Sequence, residues 1–362
     1  MNIQEILDHP HAWTVEDSQG TVVVSSRVRL ARNLADAVFP DWGGEEERVR
    51  VWQRLRQVLE TLPAIQGAVS AGNEEVAERD RQLLFERHLL SREHAKRGRG
   101  SGIVLQPREG LAIMVNEEDH LRMQALRPGL GLVEAWRAVD VVDSQLDAKV
   151  PLAFSPRWGY LTACPTNVGT GMRASVMLHL PGLALMEEIG PLVKGVAKIG
   201  LAVRGLWGEG TEAQGNLFQI SNQVTLGDRE EDIIHNLEQV VREIVSHEEN
   251  ARARLWRDRR VVLFDQVGRA AGILAYAHIL SSREALDLLS ALRLGMDMGI
   301  LSGAERGRVQ ELLLAIQPAH LQRRAGRTLQ PPERDQARAE LVRETLGPVI
   351  RVALRARRKK HE

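Results

Sequence analysis

The apolar spacing of this chain switches repeatedly between strand and helix periods up to about Ala251 and is almost entirely helical from there on, and that change constrains the fold more than any single motif does. Before it, short alternating runs that read as half-buried strands are interspersed with amphipathic stretches that read as helices. After it, nearly every segment carries helical spacing. A sheet backed by helices is therefore expected over residues 1–250, with an all-helical region over 251–362. A chain of 362 residues accommodates one large domain and a smaller one, and its 43% hydrophobic content supports a core without metals or disulfides.

Strand candidates are TVVVSSRVRL, GLAIMVN, RWGYLTA, RASVMLHL, GLAVRG and LFQISNQVTL, with EEERVRVWQRLRQVLETL a helix among them. A long helix is expected to open at Asp228, with Glu231 in capping-box spacing, and to join the two regions. Ser281 with Glu284, and Ser302 with Glu305, repeat that spacing ahead of further helices. In PPERDQARAELVRETLGPVI the proline pair stands where a helix begins. KRGRGSG, from Lys96 to Gly102, reads as a mobile loop and RVALRARRKKHE as a frayed basic tail.

Composition narrows the partners. The 48 acidic and 48 basic side chains balance, so no whole-molecule field draws the chain to nucleic acid or to a membrane. MNIQEILDHPHAW lacks a basic start followed by an apolar core, and no stretch approaches the ~18 apolar residues of a membrane span. A cytoplasmic protein is expected. The single cysteine, Cys164, excludes an intramolecular disulfide and suits a reducing compartment.

Charges on the strand candidates are unusual. In VVVSSRVRLAR, alternation places Val22, Val24, Val28 and Leu30 on one face and Ser25, Arg27 and Arg29 on the other. Like charges so placed repel unless an anion lies between them, and both a phosphate chain and carboxylate partners on a solvated face meet that condition. IMVNEEDHLR ends an apolar run in three acids, then His120 and Arg122. In RASVMLHL, Val176, Leu178 and Leu180 alternate against Arg173, Ser175, Met177 and His179, so Arg173 begins a strand just after a Gly-Thr-Gly turn. GLAVRGLWGEGTEAQGN puts Arg204 near a strand end, before a glycine-rich loop with Glu209 and Glu212 that reads as a closing lid. Each element alone has a bland structural explanation; together they describe several arginines and two separated acids beside flexible loops.

On these residues the chain resembles the phosphagen (guanidino) kinases, and within them the bacterial protein-arginine kinases. The matching pieces SSRVR, VNEEDHLR, CPTNVGTGMRASV, RGLWGEGTEAQGN and ISNQ occur in order between about residues 22 and 250. The resemblance implies an α/β (α+β) catalytic domain, an antiparallel sheet flanked by helices, using ATP and Mg²⁺. It implies that Arg27, Arg29, Arg122, Arg173 and Arg204 hold the ATP phosphates. Their motif neighbours Ser25, Ser26, Val28, Ala174, Ser175, Val176, Met177, Gly205, Leu206, Trp207 and Gly208, with His88 of FERHLLS, complete the implied nucleotide site. Glu118 and Glu209 would grip the target guanidinium, with Cys164 beside it. No protein metal ligand is implied, since Mg²⁺ keeps phosphate oxygens and water.

The residue types suit that reaction. A guanidinium has a pKa above about 12 and offers no lone pair until it loses a proton. Two carboxylates can orient it bidentately, and either could take the proton. Cys164 either packs as a small buried group or, as thiolate, adds negative charge and oxidation sensitivity. Glu117, Asp119 and Glu212 read as structural or solvated.

About twenty residues precede the first motif strand, in place of the helical N-terminal domain of kinases that act on small guanidines. The acceptor side is therefore expected to be open to a protein. RDQARA, with Arg334, Asp335 and Arg338, matches a motif that forms a phosphoarginine pocket in the protein-arginine kinases, where the helical region is implied to serve dimerisation and sensing. Implied partners are protein substrates with exposed arginines, a heat-shock repressor, a zinc-binding activator, a Clp protease and a second copy, in a homodimer or higher oligomer. Gly210 and Gln214 replace a His and an acid often found in the lid of metabolite kinases, which leaves lid closure open. Rival readings are a phosphagen kinase for free arginine or another small guanidine, a silent phosphoarginine-binding adaptor, and DNA binding through RARRKK. The intact set of arginines and acids argues against the adaptor.

Overall fold

The computed structural model describes residues 3–8, 22–106, 110–205, 214–301 and 306–358. Its strands are β1 Val23–Arg32, β2 Val69–Gly72, β3 Gly102–Leu105, β4 Leu111–Val115, β5 Leu121–Pro128, β6 Phe154–Ser155, β7 Gly159–Tyr160, β8 Met172–His179, β9 Leu201–Arg204 and β10 Leu217–Asn222. Eight form one antiparallel sheet in the order β2-β3-β4-β5-β1-β8-β10-β9, and β6 pairs with β7 in a separate hairpin. Sequence spacing does not anticipate β2, β3, β5 or β6. The first two have four residues each, and β5 carries Arg122, Gln124 and Arg127 between its inward residues.

Alternation gives the sheet two unlike faces. On the back, Val28 and Leu30 of β1, Ile113 and Val115 of β4, Val176 and Leu178 of β8 and Ile220 of β10 share one core with helices Gly44–Leu59, Leu132–Asp147 and Glu230–Asp258. Each such side chain contributes roughly 1.5–3 kcal/mol by burial, and a one-residue slip would turn it outward, so this core pins the register. On the front, Ile103, Leu105, Ala112 and Met114 pack with helices Ile3–Asp8 and Glu78–Glu86. Also on the front, Val24, Leu126, Met177 and Leu217 pack with helices Arg260–Tyr276, Ser282–Asp297, Arg306–Ala315 and Pro331–Arg358. The rest of the front face carries the arginines.

Several local expectations are corrected. Val24 does not share the back face with Val28, because the β1–β8 register shifts between Val23 and Ser25 and turns it to the front. The joining helix begins at Glu230 with Arg229 as N-cap and no side-chain cap, so Asp228 does not open it; three acids in its first turn complement the helix dipole instead. KRGRGSG is a fastened turn: Arg97 donates to Asp41 and to the Glu117 carbonyl, and Ser101 to the Asn116 carbonyl. The tail does not fray where RVALRARR begins, since that stretch continues the helix to Arg358. Ser281 caps its helix through the Glu284 amide, and helix Pro331–Arg358 opens on the proline pair. The Ser302–Glu305 pair lies outside the described residues. Among these, no helix is long and apolar enough to cross a membrane.

Candidate active site

Four strands bring five arginines to one cleft: Arg27 and Arg29 from β1, Arg122 from β5, Arg173 from β8 and Arg204 from β9. The cleft encloses about 590 Å³ and is also lined by Glu118, Cys164 and His88. Strand register sets Arg29 directly across from Arg173, and Ala31 across from Arg122. Opposed like charges destabilise a sheet unless an anion sits between them. The repulsion registers in the titration of the pair on β1. Burial, then the charges of Arg122, Arg173 and Arg204, pull Arg27 down to about 10, and burial with Arg122, Arg27 and Arg173 holds Arg29 well below its ordinary value. Neither guanidinium has a hydrogen-bonded or ion-paired partner among the described residues.

Arg122 differs from the pair on β1, because Glu117 meets it with two contacts of 2.6 Å. Burial is the largest influence on both groups and disfavours charge on each. The pairing outweighs it, raising Arg122 above its ordinary value and holding Glu117 at about 2, with help from the Ser91 hydroxyl at 2.6 Å.

The acid loop is built to leave one carboxylate uncommitted. Asn116 opens it in the left-handed region at φ 57°, which Asn tolerates, and its amide donates to the Arg48 and Gly100 carbonyls. Asp119 Oδ1 accepts from Asn33 Nδ2 at 2.6 Å and from the Ala163 amide at 2.7 Å. Glu117 and Asp119 are thus both engaged by neighbouring side chains and backbone. Glu118 makes no hydrogen bond or ion pair among the described residues; it is half-buried, and burial with Asp119 and Glu117 raises its carboxyl above the usual range.

The Asp119–Ala163 bond also draws the Cys164 turn to the acids. Cys164 is partly exposed, and its Sγ lies 3.0 Å from Thr166 Oγ1. Downstream, the Gly-Thr-Gly turn needs its glycines: a Cβ on Gly169 would meet the Thr225 carbonyl at 2.2 Å and one on Gly171 the Ala31 carbonyl at 2.6 Å, both at positive φ.

Sequence reasoning missed the residue that anchors this turn. Arg32 is fully buried, donates to Asp143 from Nε and Nη2, and reaches the Ala31 and Thr170 carbonyls through Nη1. It also lies 3.5 Å over the Tyr160 ring. A signal was present, since Arg32 continues the inward phase of Val28 and Leu30 and a charge there demands partners. Ser91, Arg92, Arg97 and Gln219 also line the cleft and were not anticipated.

The implied nucleotide residues divide by strand phase. Ser25, Ser175, Met177 and His88 line an apolar slot beside Arg27, together with Leu126, Leu313 and Leu314. Ser26, Val28, Ala174 and Val176 do not join them, because alternation buries their side chains on the back, where Ser26 bonds the Gly129 carbonyl. Gly205 follows β9. Leu206, Trp207, Gly208 and Glu209 lie outside the described residues, as do Gly210 and Glu212. In RDQARA, Arg334 and Arg338 stand four residues apart on helix Pro331–Arg358. Arg338 is buried and its guanidinium is taken by the Ile316 and Leu280 carbonyls and by Asp335, while Arg334 donates to the Leu329 carbonyl.

Residues 50–251 match the family model of the ATP:guanido phosphotransferase C-terminal catalytic domain, and residues 260–359 that of the protein-arginine kinase McsB C-terminal domain. The chain is 48% identical over 332 residues to a protein-arginine kinase of Moorella thermoacetica, covering 91% of this chain and 95% of that one. It is 46% identical over 329 residues to a protein-arginine kinase of Halothermothrix orenii, covering 90% and 93%. Among solved structures it is similar to lombricine kinase, with a TM-score of 0.57, 25% identity and coverage of 67% of this chain and 70% of that one. It is also similar to the duplicated taurocyamine kinase of Schistosoma mansoni, with a TM-score of 0.59, 26% identity and coverage of 68% of this chain but 35% of that longer one. The arginine-lined cleft thus sits in a fold shared with guanidino kinases, and the chain belongs to the protein-arginine kinase family.

Proposed function

We propose that this chain transfers the γ-phosphoryl group of ATP to the guanidinium of arginine side chains in proteins. The observation that carries the reading is the convergence of five arginines and one uncommitted carboxylate, Glu118, on a single cleft. Arg27, Arg29, Arg122, Arg173 and Arg204 would hold the triphosphate, whose charge relieves their mutual repulsion, and would stabilise the phosphoryl group in flight and the departing ADP. We place the nucleobase at the apolar slot beside Arg27 and Ser175, whose cavity of about 30 Å³ would have to widen to admit it. Mg²⁺, held by phosphate oxygens and water, would offset part of the charge.

Glu118 and Glu209 would grip the acceptor guanidinium, aligning one nitrogen with the phosphorus. That nitrogen gives a proton to one of the two carboxylates as the N–P bond forms and the bond to the bridging oxygen of ADP breaks. The raised carboxyl of Glu118 suits the base. Cys164 would tune the acceptor side. We assign residues 1–250 to catalysis and 251–362 to a helical domain for dimerisation and phosphoarginine sensing, in which Arg334 and Asp335 face solvent in part and Arg338 would have to leave its carbonyls to reach a phosphate. A cytoplasmic role in protein quality control, with a heat-shock repressor, a zinc-binding activator and a Clp protease as partners, accords with this chemistry, because the mark replaces a cation with an anion.

The test is incubation of an arginine-rich unfolded protein with Mg-ATP, followed by mass spectrometry without acidic workup, which would cleave the P–N bond. Phosphoarginine formed by the wild type and lost in Glu209→Ala supports the reading; no phosphoarginine with the wild type, alone or with lysate of the source organism supplying any activator, overturns it.

A further inference from the structure

The buried carboxylate of Glu86 lies outside the cleft, yet it makes three close contacts to a segment 233 and 234 residues away. Its oxygens accept the amides of Ala319 at 2.8 Å and His320 at 3.1 Å, and His320 Nδ1 stands 2.8 Å from the same carboxylate. Those amides open helix Pro318–Ala325, and the first N–H groups of a helix have no partner within it. Asp80, on the same helix as Glu86, adds a second tie to Arg323 at 3.4 Å.

Two residues after Glu86, His88 takes φ 61°, a left-handed conformation uncommon outside glycine, and turns into the cleft wall beside Arg27. Its carbonyl is fixed by Gln124 Nε2 of β5 at 2.7 Å. The helical region also supplies Leu313 and Leu314 to the apolar slot, from the helix that immediately precedes Pro318–Ala325. It therefore meets this end of the cleft twice, once by forming a wall and once by fastening the segment that carries His88.

We infer that Glu86 is a positioning residue for nucleotide: by capping helix Pro318–Ala325 it locks the helical region against the His88 segment, so that docking of that region sets the affinity for Mg-ATP. The inference rests on the kinase reading and deepens it. Linkage makes the coupling reciprocal: whatever tightens the docking tightens nucleotide binding, and nucleotide tightens the docking.

The test uses the full chain and compares wild type with Glu86→Ala, Glu86→Gln and His320→Ala. Calorimetry gives the Kd for Mg-ATP, steady-state kinetics separate KM from kcat, and hydrogen exchange reads the amides of Ala319 and His320 with and without Mg-ADP. Glu86→Ala is expected to weaken Mg-ATP binding about tenfold and to raise KM for ATP without raising KM for the protein substrate. His320→Ala, which loses one of three contacts, should weaken it less, and Glu86→Gln, which keeps an acceptor oxygen, should recover part of the loss. Mg-ADP should slow exchange at Ala319 and His320 in the wild type. Folded Glu86→Ala and His320→Ala proteins that bind Mg-ATP within about twofold of wild type would overturn the inference. So would amides of Ala319 and His320 that exchange at one rate with and without Mg-ADP, a result that decides the matter even where Glu86→Ala does not fold. A wild type that binds no Mg-ATP at all removes the kinase reading itself, a failure distinct from the other two.

Discussion

Glu118 and Glu117 are neighbours in sequence and opposites in duty, and the difference is set by what each carboxylate touches. Glu117 is spent on Arg122 and Ser91, whereas Glu118 faces the cleft uncommitted. Glu118→Gln keeps shape and removes charge, so transfer to protein should fall about 10²-fold or more while the Kd for Mg-ATP holds near wild type, read by calorimetry beside the activity assay. A second residue reports through pH. Burial, partly opposed by Glu117, lowers His94 to about 4 from 6.5. Its contribution to stability is therefore complete above 6.5 and is lost as pH falls from there towards about 4, amounting to roughly 3 kcal/mol. Urea unfolding across that range should show a steeper acid loss in the wild type than in His94→Leu; parallel losses would refute the assignment.

At the scale of elements, alternation was legible and the bulge was not. The phase of β1 and β8 was readable because Val28, Leu30, Val176 and Leu178 repeat at a period of two, and that phase alone sends Arg27, Arg29 and Arg173 to one side. The shift that turns Val24 forward depends on pairing with β8, which no local pattern encodes. The same limit explains Arg32: its position in the inward phase was readable, but Asp143 is 111 residues away. Arg32→Met should destabilise the protein by about 3–5 kcal/mol, because it leaves Asp143 buried and unpaired behind the Gly-Thr-Gly turn. Midpoints of urea unfolding check this, and a loss well under 1 kcal/mol would mean that the pair only decorates the turn.

For the whole molecule, the acceptor side decides which guanidine is phosphorylated. The helical region was legible as helices, but its packing on the front of the sheet was not, since Val24, Leu126, Met177 and Leu217 meet those helices only after the strands have paired. Nor could the sequence reveal that Glu86 reaches Ala319. The central claim is that the cleft accepts arginine within a protein chain, and the most direct measurement is kcat/KM for an unfolded arginine-rich protein against free arginine, in one Mg-ATP assay that detects phosphoarginine at neutral pH. Protein-borne arginine should be preferred by about 10²-fold or more, with Glu118→Gln lowering the transfer by a similar factor. Saturable phosphorylation of free arginine at equal or better kcat/KM would contradict it and assign the cleft to a small guanidine.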